Sequence, residues 1–183
     1  MKTADCDILI LPGLGGSDDG HWQVRWASRL STGRVVEQAD WHNPDPEAWC
    51  GRIVEAVTQA TRPVILIAHS LGVVATILAV PAFPTGVVRG AVLVALPDVE
   101  TTPNLPDAVR RFAPIPRRPL PFPALVVASR DDPYCSYARA EGFALAWGAT
   151  TVDAGHSGHI NIASGHGPWP EGLMRLAGFM KDL

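Results

Sequence analysis

Four short runs of consecutive apolar residues are the clearest pattern along the chain. They cover residues 7–11, 63–68, 90–95 and 124–128, and β-branched side chains are frequent in them. Apolar runs of this length predict strands buried on both faces, as in a parallel sheet. Two weaker runs at 34–37 and 150–153 raise the predicted number of strands to about six.

Helical periodicity fills the segments between these runs. Apolar residues recur there at intervals of three and four, the spacing of one helix face. The residues concerned are Trp22, Trp26 and Leu30; Trp49, Ile53, Ala56, Val57 and Ala60; Tyr137, Ala140, Phe143, Ala144 and Trp147; and Leu173, Leu176, Ala177 and Met180. Strand and helix therefore alternate, which predicts an α/β fold with helices on both faces of one mostly parallel sheet and right-handed crossovers. With neither repeat nor linker, residues 1–183 are expected to form a single domain.

The segment 97–123 departs from this alternation. It contains eight prolines, which leave little room for regular helix or strand. One interpretation is a cap over a site at the carboxyl ends of the strands, where open α/β sheets bind ligands. The other is a surface loop stiffened by proline, and the sequence leaves both open.

Composition narrows the function classes. The 183 residues are 47% hydrophobic and carry a net charge of −3, so the chain can bury a core but lacks the basic excess of nucleic-acid-binding proteins. The three cysteines are widely spaced and form no C-x-x-C pair, which argues against a disulfide framework and a zinc ribbon. The apolar run 8–11 is too short for a signal peptide or a membrane span. We expect a cytoplasmic protein without nucleic-acid or membrane partners.

A serine in the sequence Ala68-His69-Ser70-Leu71-Gly72 lies between the strand at 63–68 and an apolar helix at 73–80. A G-x-S-x-G nucleophile elbow has this strand, turn and helix context, with small residues on either side because the sharp turn crowds the backbone. Ala68 replaces the first glycine here. Ser70 is therefore a candidate nucleophile, with a plain helix N-cap as the alternative.

The order of the remaining polar residues matches a catalytic triad. In this architecture an acidic residue follows a later strand and a histidine follows the last one. Asp131 and Asp132 follow the strand at 124–128, and Pro133 favours Asp132 because it fixes the turn directly after it. Asp131 is expected to be solvated or to act as an N-cap.

Three histidines follow the last predicted strand. His159 is favoured over His156 because Gly158 relaxes the loop before it and Ile160 can be buried behind the ring, and His166 is a third candidate. Asp153, His156 and His159 also have the spacing D-x-x-H-x-x-H. They lie in a glycine-broken loop rather than on one helix face, so we expect no metal site.

A glycine-rich loop follows the first strand at residues 12–17. Taken as G-x-G-x-x-G from Gly13, its last position is Asp18, an anion where a pyrophosphate would have to lie. A P-loop is excluded because no Gly-Lys-Ser/Thr follows. We therefore expect no dinucleotide or other cofactor.

The same loop is better interpreted as one side of an oxyanion hole. In hydrolases with a nucleophile elbow, a loop of this kind provides one amide and the residue after the nucleophile, here Leu71, provides the other. Leu14 is the candidate first donor, with Gly13 and Gly15 as alternatives. A tight turn without a further role is the remaining possibility.

Taken together, five motifs resemble the small α/β-hydrolase family that includes retinoblastoma-binding protein 9 and its bacterial relatives. They are PGLGGS at 12–17 with HWQ at 21–23 and Trp26, WHNPDPEAW at 41–49, HSLG at 69–72, DPYCS at 132–136, and GHINIASGHGPWPEG at 158–172. The resemblance implies a three-layer α/β-hydrolase fold without the first two strands of the larger fold. It also implies that Ser70 is the nucleophile, Asp132 the orienting acid and His159 the base.

The expected activity is hydrolysis of small carboxylic esters, with thioesters and amides as less favoured substrates. A protein-binding module on the same fold is the main alternative, because some members of the family resembled are known chiefly as binding proteins and fold alone does not decide function. An acyltransferase is a second alternative, because it differs only in what intercepts the acyl-enzyme.

Overall fold

A parallel sheet of six strands forms the centre of the computed structural model, which describes residues 1–183. The strands are β1 (Asp7–Leu11), β2 (Gly33–Val35), β3 (Val64–His69), β4 (Val88–Val94), β5 (Ala124–Ala128) and β6 (Thr150–Asp153). Their order across the sheet is β2-β1-β3-β4-β5-β6, and every neighbouring pair is parallel. The predicted α/β class is confirmed.

Helices cover both faces of the sheet. They are α1 (Trp22–Arg29), α2 (Pro46–Thr58), α3 (Leu71–Ala79), α4 (Asp107–Arg110), α5 (Tyr137–Trp147) and α6 (Pro170–Lys181). Side chains of α2, α3 and α5 belong to one buried cluster, and those of α1 and α6 belong to a second. Successive residues of a strand point to opposite faces, so Leu66 joins the first cluster and Ile65 the second. The result is a three-layer arrangement.

Several element bounds differ from those predicted. β2 ends at Val35 and is only three residues long, because it is an edge strand with hydrogen bonds to β1 alone. α2 begins at Pro46, three residues before the first apolar position of its pattern. Asp45 is its N-cap and accepts a hydrogen bond from the Ala48 amide, and Pro46 suits the first helical position because it lacks an N–H.

The direction of chain winding reverses between β1 and β3. β2 is added on one side of β1, whereas β3 to β6 extend in the opposite direction. In open α/β sheets, ligands bind at the carboxyl ends of the strands at such a reversal. Here this position lies between Pro12, which follows β1, and Ser70, which follows β3.

The proline-rich segment 97–123 forms one short helix, α4, and otherwise irregular backbone. Its apolar side chains Val109, Phe112 and Ile115 are buried in the larger core cluster, so the segment packs against the domain. None of the helices combines the length and apolar character that crossing a bilayer requires.

Candidate active site

Ser70 occupies a sharp turn between β3 and α3. Its φ is 54° and its ψ is −130°, a conformation that costs a non-glycine residue on the order of 1–3 kcal/mol. Although Ser70 takes the N-cap position, its side chain makes no capping hydrogen bond. The capping alternative is therefore excluded, and the hydroxyl is available for other contacts.

Two glycines allow the backbone to approach this turn closely. A Cβ on Gly72 would lie 2.3 Å from the carbonyl oxygen of Leu11, and a Cβ on Gly13 would lie 2.6 Å from Cβ of Ser70. Both distances are shorter than van der Waals contact, so only glycine fits. Ala68, which stands where the common motif has glycine, is fully buried within β3 and keeps its register with Leu11.

His159 contacts both Ser70 and Asp132. Its Nε2 lies 2.8 Å from the Ser70 Oγ, and its Nδ1 lies 3.0 Å from each carboxylate oxygen of Asp132. The side chains of His159 and Asp132 are 9% and 3% exposed. With Nδ1–H donating to the carboxylate, Nε2 is left as the acceptor for the Ser70 hydroxyl. The three favoured residues, which follow β3, β5 and β6, thus form one hydrogen-bonded chain.

Asp131 has a different position from its neighbour. Its Oδ1 accepts hydrogen bonds from the Ser129 hydroxyl at 2.7 Å and from the Gly158 amide at 2.8 Å. These two bonds lower the pKa of the Asp131 carboxyl. The residue is exposed, as expected, but the expectation that it might be an N-cap is wrong, because Ser136 caps α5.

The backbone around His159 is held from two sides. His69 Nε2 donates to the His159 carbonyl oxygen at 2.9 Å, and the Trp22 indole N–H donates to the Ile160 carbonyl oxygen at 2.9 Å. Gly158 has a φ of 53°, and a Cβ there would lie 2.7 Å from Cβ of Ser164. Ile160 is fully buried. The loop therefore presents the imidazole in a fixed position.

The other two candidate histidines do not reach Ser70. His156 is exposed and forms no hydrogen bond within the protein. His166 Nδ1 lies 3.2 Å from the Ser164 Oγ instead. No three His, Cys, Asp or Glu side chains are close enough to share a metal ion. Both carboxylate oxygens of Asp153 accept other hydrogen bonds, from the Arg130 guanidinium and the Gly155 amide.

The glycine-rich loop places the backbone of Gly13 beside the Leu71 amide, since a Cβ on Gly13 would lie 3.2 Å from that nitrogen. The Leu14 amide has no acceptor in the protein. Gly15 is excluded as an alternative donor because its amide donates to the Trp41 carbonyl oxygen at 2.7 Å. The Gly13 amide likewise has no acceptor in the protein, so Gly13 remains an alternative to Leu14 as the partner of Leu71 near Ser70.

A cavity of about 640 Å³ opens over Ser70. Its lining includes the apolar side chains of Leu14, Leu71, Leu105, Val109, Tyr134 and Ile162. Residues 104–106 and Val109 come from the proline-rich segment, which therefore forms one wall of the cavity. The Tyr134 ring lies edge-on to the His159 ring, with 4.6 Å between centroids.

Charged side chains connect the proline-rich segment, which forms this wall of the cavity, to the region that follows Asp132. Arg139 donates to both carboxylate oxygens of Asp98, at 2.7 and 3.0 Å, and to Glu100 at 2.9 Å. The Asp98 amide also donates to the Tyr134 carbonyl oxygen at 2.8 Å. The Asp98 side chain is 2% exposed and the Arg139 side chain 38%, so the carboxylate end of the ion pair is buried. Sequence analysis did not identify this contact, because 41 residues separate its partners.

Two further histidines lie beside the site: His69, which the sequence places next to Ser70 as a packed residue rather than a second base, and His21, which the sequence analysis missed. Burial lowers the pKa of His69 well below its usual range and lowers the pKa of His21 to about 4. The position of His21, directly before the amphipathic helix α1, could have indicated its role as an N-cap. Its position on the cavity wall had no local signal.

Comparison with known proteins agrees with this arrangement. Residues 8–178 match the family model described as serine hydrolase. The chain is 36% identical to a YdeN-like hydrolase from Pectobacterium atrosepticum, with a TM-score of 0.86 over 98% of this chain and 92% of that one. The YdeN product of Bacillus subtilis is 19% identical, with a TM-score of 0.81 over 96% and 98% of the two chains.

More distant structures share the fold. The esterase RhEst1 from Rhodococcus is 18% identical, with a TM-score of 0.62 over 86% of this chain and 85% of that one. Among the curated protein sequences, none matches this chain. The match over residues 8–178 and the 36% identity to a hydrolase along nearly the whole chain establish that this protein belongs to the serine hydrolase family.

Proposed function

We propose that this protein hydrolyses small carboxylic esters through an acyl-enzyme formed on Ser70. The observation that carries the proposal is the 2.8 Å contact between the Ser70 Oγ and Nε2 of His159, made at a backbone turn with positive φ. A serine hydroxyl is a weak nucleophile by itself and needs an adjacent base to accept its proton. This contact supports His159 as that base.

In the acylation step, the Ser70 oxygen attacks the ester carbonyl while its proton moves to Nε2 of His159. The carboxylate of Asp132 stabilises the imidazolium and keeps Nδ1 protonated. Nε2 then returns the proton to the leaving alcohol as the bond from the carbonyl carbon to the alcohol oxygen breaks. Water attacks the acyl-enzyme by the same route, and His159 again relays the proton to release the acid and restore Ser70.

The negative charge that develops on the carbonyl oxygen needs donors fixed in advance. The Leu71 and Leu14 amides fulfil this role in the proposal, because the Leu14 amide has no acceptor in the protein and the backbone of Gly13 lies beside the Leu71 nitrogen. Such preorganised donors are typically worth about 3–4 kcal/mol of transition-state stabilisation each.

The cavity supports small neutral acyl compounds as substrates. Its walls combine apolar and polar residues, and neither lysine nor arginine lines it, so it offers no cation to a phosphate or a second carboxylate. Carboxylic esters are preferred over amides because their carbonyl is more reactive toward a serine nucleophile. Thioesters and amides are the less favoured members of the same reaction type.

A fluorophosphonate probe tests the assignment of the nucleophile. Wild-type protein should be labelled, and peptide mapping should place the adduct on Ser70. Ser70→Ala should not be labelled. Ser164→Ala is a matched control, because Ser164 is the other serine in hydrogen-bond contact with a histidine ring, His166.

Labelling of Ser164→Ala should equal that of the wild type. An adduct on any residue other than Ser70 would exclude the proposed nucleophile. A folded wild-type protein that resists the probe and hydrolyses no ester would favour the protein-binding alternative.

A further inference from the structure

His21 is a buried imidazole on the cavity wall that the proposed mechanism does not use. It is 6% exposed and lines the cavity together with Ser70 and His159. Its ring centroid lies 5.1 Å from that of His69, which in turn lies 5.0 Å from that of His159. Three imidazoles thus form a row beside the reacting groups, and two of them have defined partners.

The hydrogen bonds of His21 determine which nitrogen carries its proton. Nδ1 accepts a hydrogen bond from the Gln23 amide at 3.2 Å. This nitrogen therefore uses its lone pair as the acceptor and carries no proton. Burial lowers the pKa of the ring to about 4, so the ring is neutral near pH 7. The single proton therefore lies on Nε2, which makes this atom a donor only.

Nε2 has no hydrogen-bond partner in the protein. The only fully buried side-chain nitrogen or oxygen without a partner is Oε1 of Gln38, so Nε2 of His21 remains accessible. Because the ring lines the cavity, a ligand that fills the cavity displaces the water available to this donor. A buried donor left without an acceptor costs about 1–3 kcal/mol.

The other buried or hydrogen-bonded donors on this wall are already used. His69 donates to the His159 carbonyl oxygen, and the Ser17 hydroxyl donates to Oε1 of Gln23 at 2.9 Å. Asp18 is exposed and offers only acceptor oxygens. Asn104, Tyr134 and Asn161 also line the cavity with donors that have no acceptor in the protein, but Asn104 and Tyr134 are exposed and Asn161 is half-buried. His21 is thus the one buried side chain of the cavity with an unused donor.

We propose that the Nε2–H of His21 is a specificity-determining group that binds a second oxygen of the substrate. The favoured substrates would be esters that carry a neutral ether, hydroxyl or keto oxygen close to the scissile carbonyl. This inference rests on the proposed esterase function and narrows its substrate class. A site built to bind such an oxygen discriminates against the analogue that lacks it, because the donor is then left unpaired.

Matched pairs of esters test this inference, with the two acyl pairs prepared as p-nitrophenyl esters. Methoxyacetate and butanoate have the same length, as do 3-methoxypropanoate and pentanoate, and a 2-methoxyethyl ester paired with a butyl ester places the oxygen on the alcohol. Each kcat/KM is divided by the rate of hydroxide-catalysed hydrolysis, to remove differences in carbonyl reactivity. For at least one pair, wild-type protein should prefer the methoxy compound by about tenfold or more.

Two variants of His21 separate its donor from its capping role. His21→Asn keeps a side-chain oxygen near the position of Nδ1, so it can still cap α1, but it cannot reach as far as Nε2. His21→Gln places an N–H near the position of Nε2. The preference for the methoxy ester should disappear in His21→Asn and return at least partly in His21→Gln. His156→Asn, at an exposed residue outside the cavity, should retain the full preference.

Two results would overturn the inference: no methoxy preference in the wild type, or equal loss on both members of every pair in His21→Asn. The Ser70→Ala variant distinguishes this failure from failure of the proposed function. Its affinity for each ester pair, measured by calorimetry, reports the preference without turnover. If His21 binds the second oxygen, the methoxy ester should bind more tightly than its alkyl partner even if Ser70 proved not to be the nucleophile.

Discussion

Asp131 is joined to the loop that carries His159 by a hydrogen bond from the Gly158 amide to Oδ1 of Asp131, at 2.8 Å. The same oxygen accepts from the Ser129 hydroxyl, and Ser129 in turn accepts from the Ser157 amide at 2.9 Å. Two adjacent acidic residues therefore have different contacts. Asp132 binds the imidazole, whereas Asp131 braces the backbone before it.

This difference predicts unequal effects of Asp132→Asn and Asp131→Asn. An amide at position 132 cannot stabilise the imidazolium and favours the wrong tautomer of His159, a change that costs roughly 10⁴-fold in a well-studied triad. An amide at position 131 retains a carbonyl oxygen that can accept from Gly158, so kcat should fall less than about tenfold. Comparable losses of kcat in the two variants would show that the orienting residue has been misassigned.

For Ser70→Ala, ester hydrolysis should fall by about 10⁴-fold to 10⁶-fold, because the acyl-enzyme can no longer form. The variant should remain folded, since Ser70 packs into no core cluster and loses one hydrogen bond. Steady-state kinetics measures the loss of hydrolysis, and a thermal melt of the same preparation shows whether the variant is folded. Turnover at the wild-type rate would exclude the proposed mechanism.

The pH profile of kcat/KM identifies the base. It should rise with pH through a single ionisation, because a protonated His159 cannot accept the Ser70 proton, and His159→Ala should abolish it. The lowered pKa values of His21 and His69 keep those two rings neutral near pH 7, so neither should add a second step to the profile. His156→Ala is the matched control and should retain the profile.

The same two histidine variants test the metal alternative. If Asp153, His156 and His159 held a metal ion, both substitutions would be equally damaging and a strong chelator would abolish activity. We expect a chelator to have no effect. Loss of activity with EDTA, restored by zinc, would contradict the assignment of His159 as a base.

The buried histidines predict that stability decreases in mild acid. An unfolded histidine takes up a proton near pH 6.5, whereas burial lowers the pKa of His69 well below that value and that of His21 to about 4. Below about pH 6.5 the unfolded state therefore binds more protons. The contribution of these two groups to the free energy of unfolding should be constant above about pH 7 and should fall below about pH 6.5 by up to about 1.4 kcal/mol per pH unit for each group.

Urea denaturation between about pH 7.5 and 5 measures this slope. That range lies above the ordinary carboxyl pKa values and thus separates the histidines from the acidic residues. His69→Gln should flatten the slope, whereas the exposed His42→Gln should leave it unchanged. Identical slopes in the wild type and His69→Gln would contradict the prediction.

Arg139→Met should destabilise the fold by about 1–3 kcal/mol, because it leaves the buried carboxylate of Asp98 without a charge partner although Thr101 still donates to it. Arg130→Met is a close control. Arg130 also pairs with an aspartate and lies over an aromatic ring, but its pair with Asp153 is exposed. That change should shift the urea midpoint much less, because solvent screens the exposed pair. Equal changes in the urea midpoint would show that burial of Asp98 is not what distinguishes the two pairs.

The sequence by itself determined the layout of the protein. The predicted bounds of β1, β5 and α5 agree with the structure to the residue. The reason is that the order of apolar and polar residues along the chain reflects local burial and helical periodicity. The order of Ser70, an aspartate and a histidine along the chain also follows from the sequence. Each follows a parallel strand, and the carboxyl ends of parallel strands share one edge of the sheet.

Only the tertiary structure decided which neighbouring side chains meet. Asp131 and Asp132 have the same chemistry and lie in the same turn, and what separates their roles is the group that a loop 27 residues away places against each of them. Resemblance indicated Asp132, but the contact itself depends on how β6 aligns beside β5. The His69 bond to the His159 carbonyl and the Arg139 pair with Asp98 likewise join residues 90 and 41 positions apart. Local sequence periodicity does not predict such contacts, because they form only when separate elements pack together.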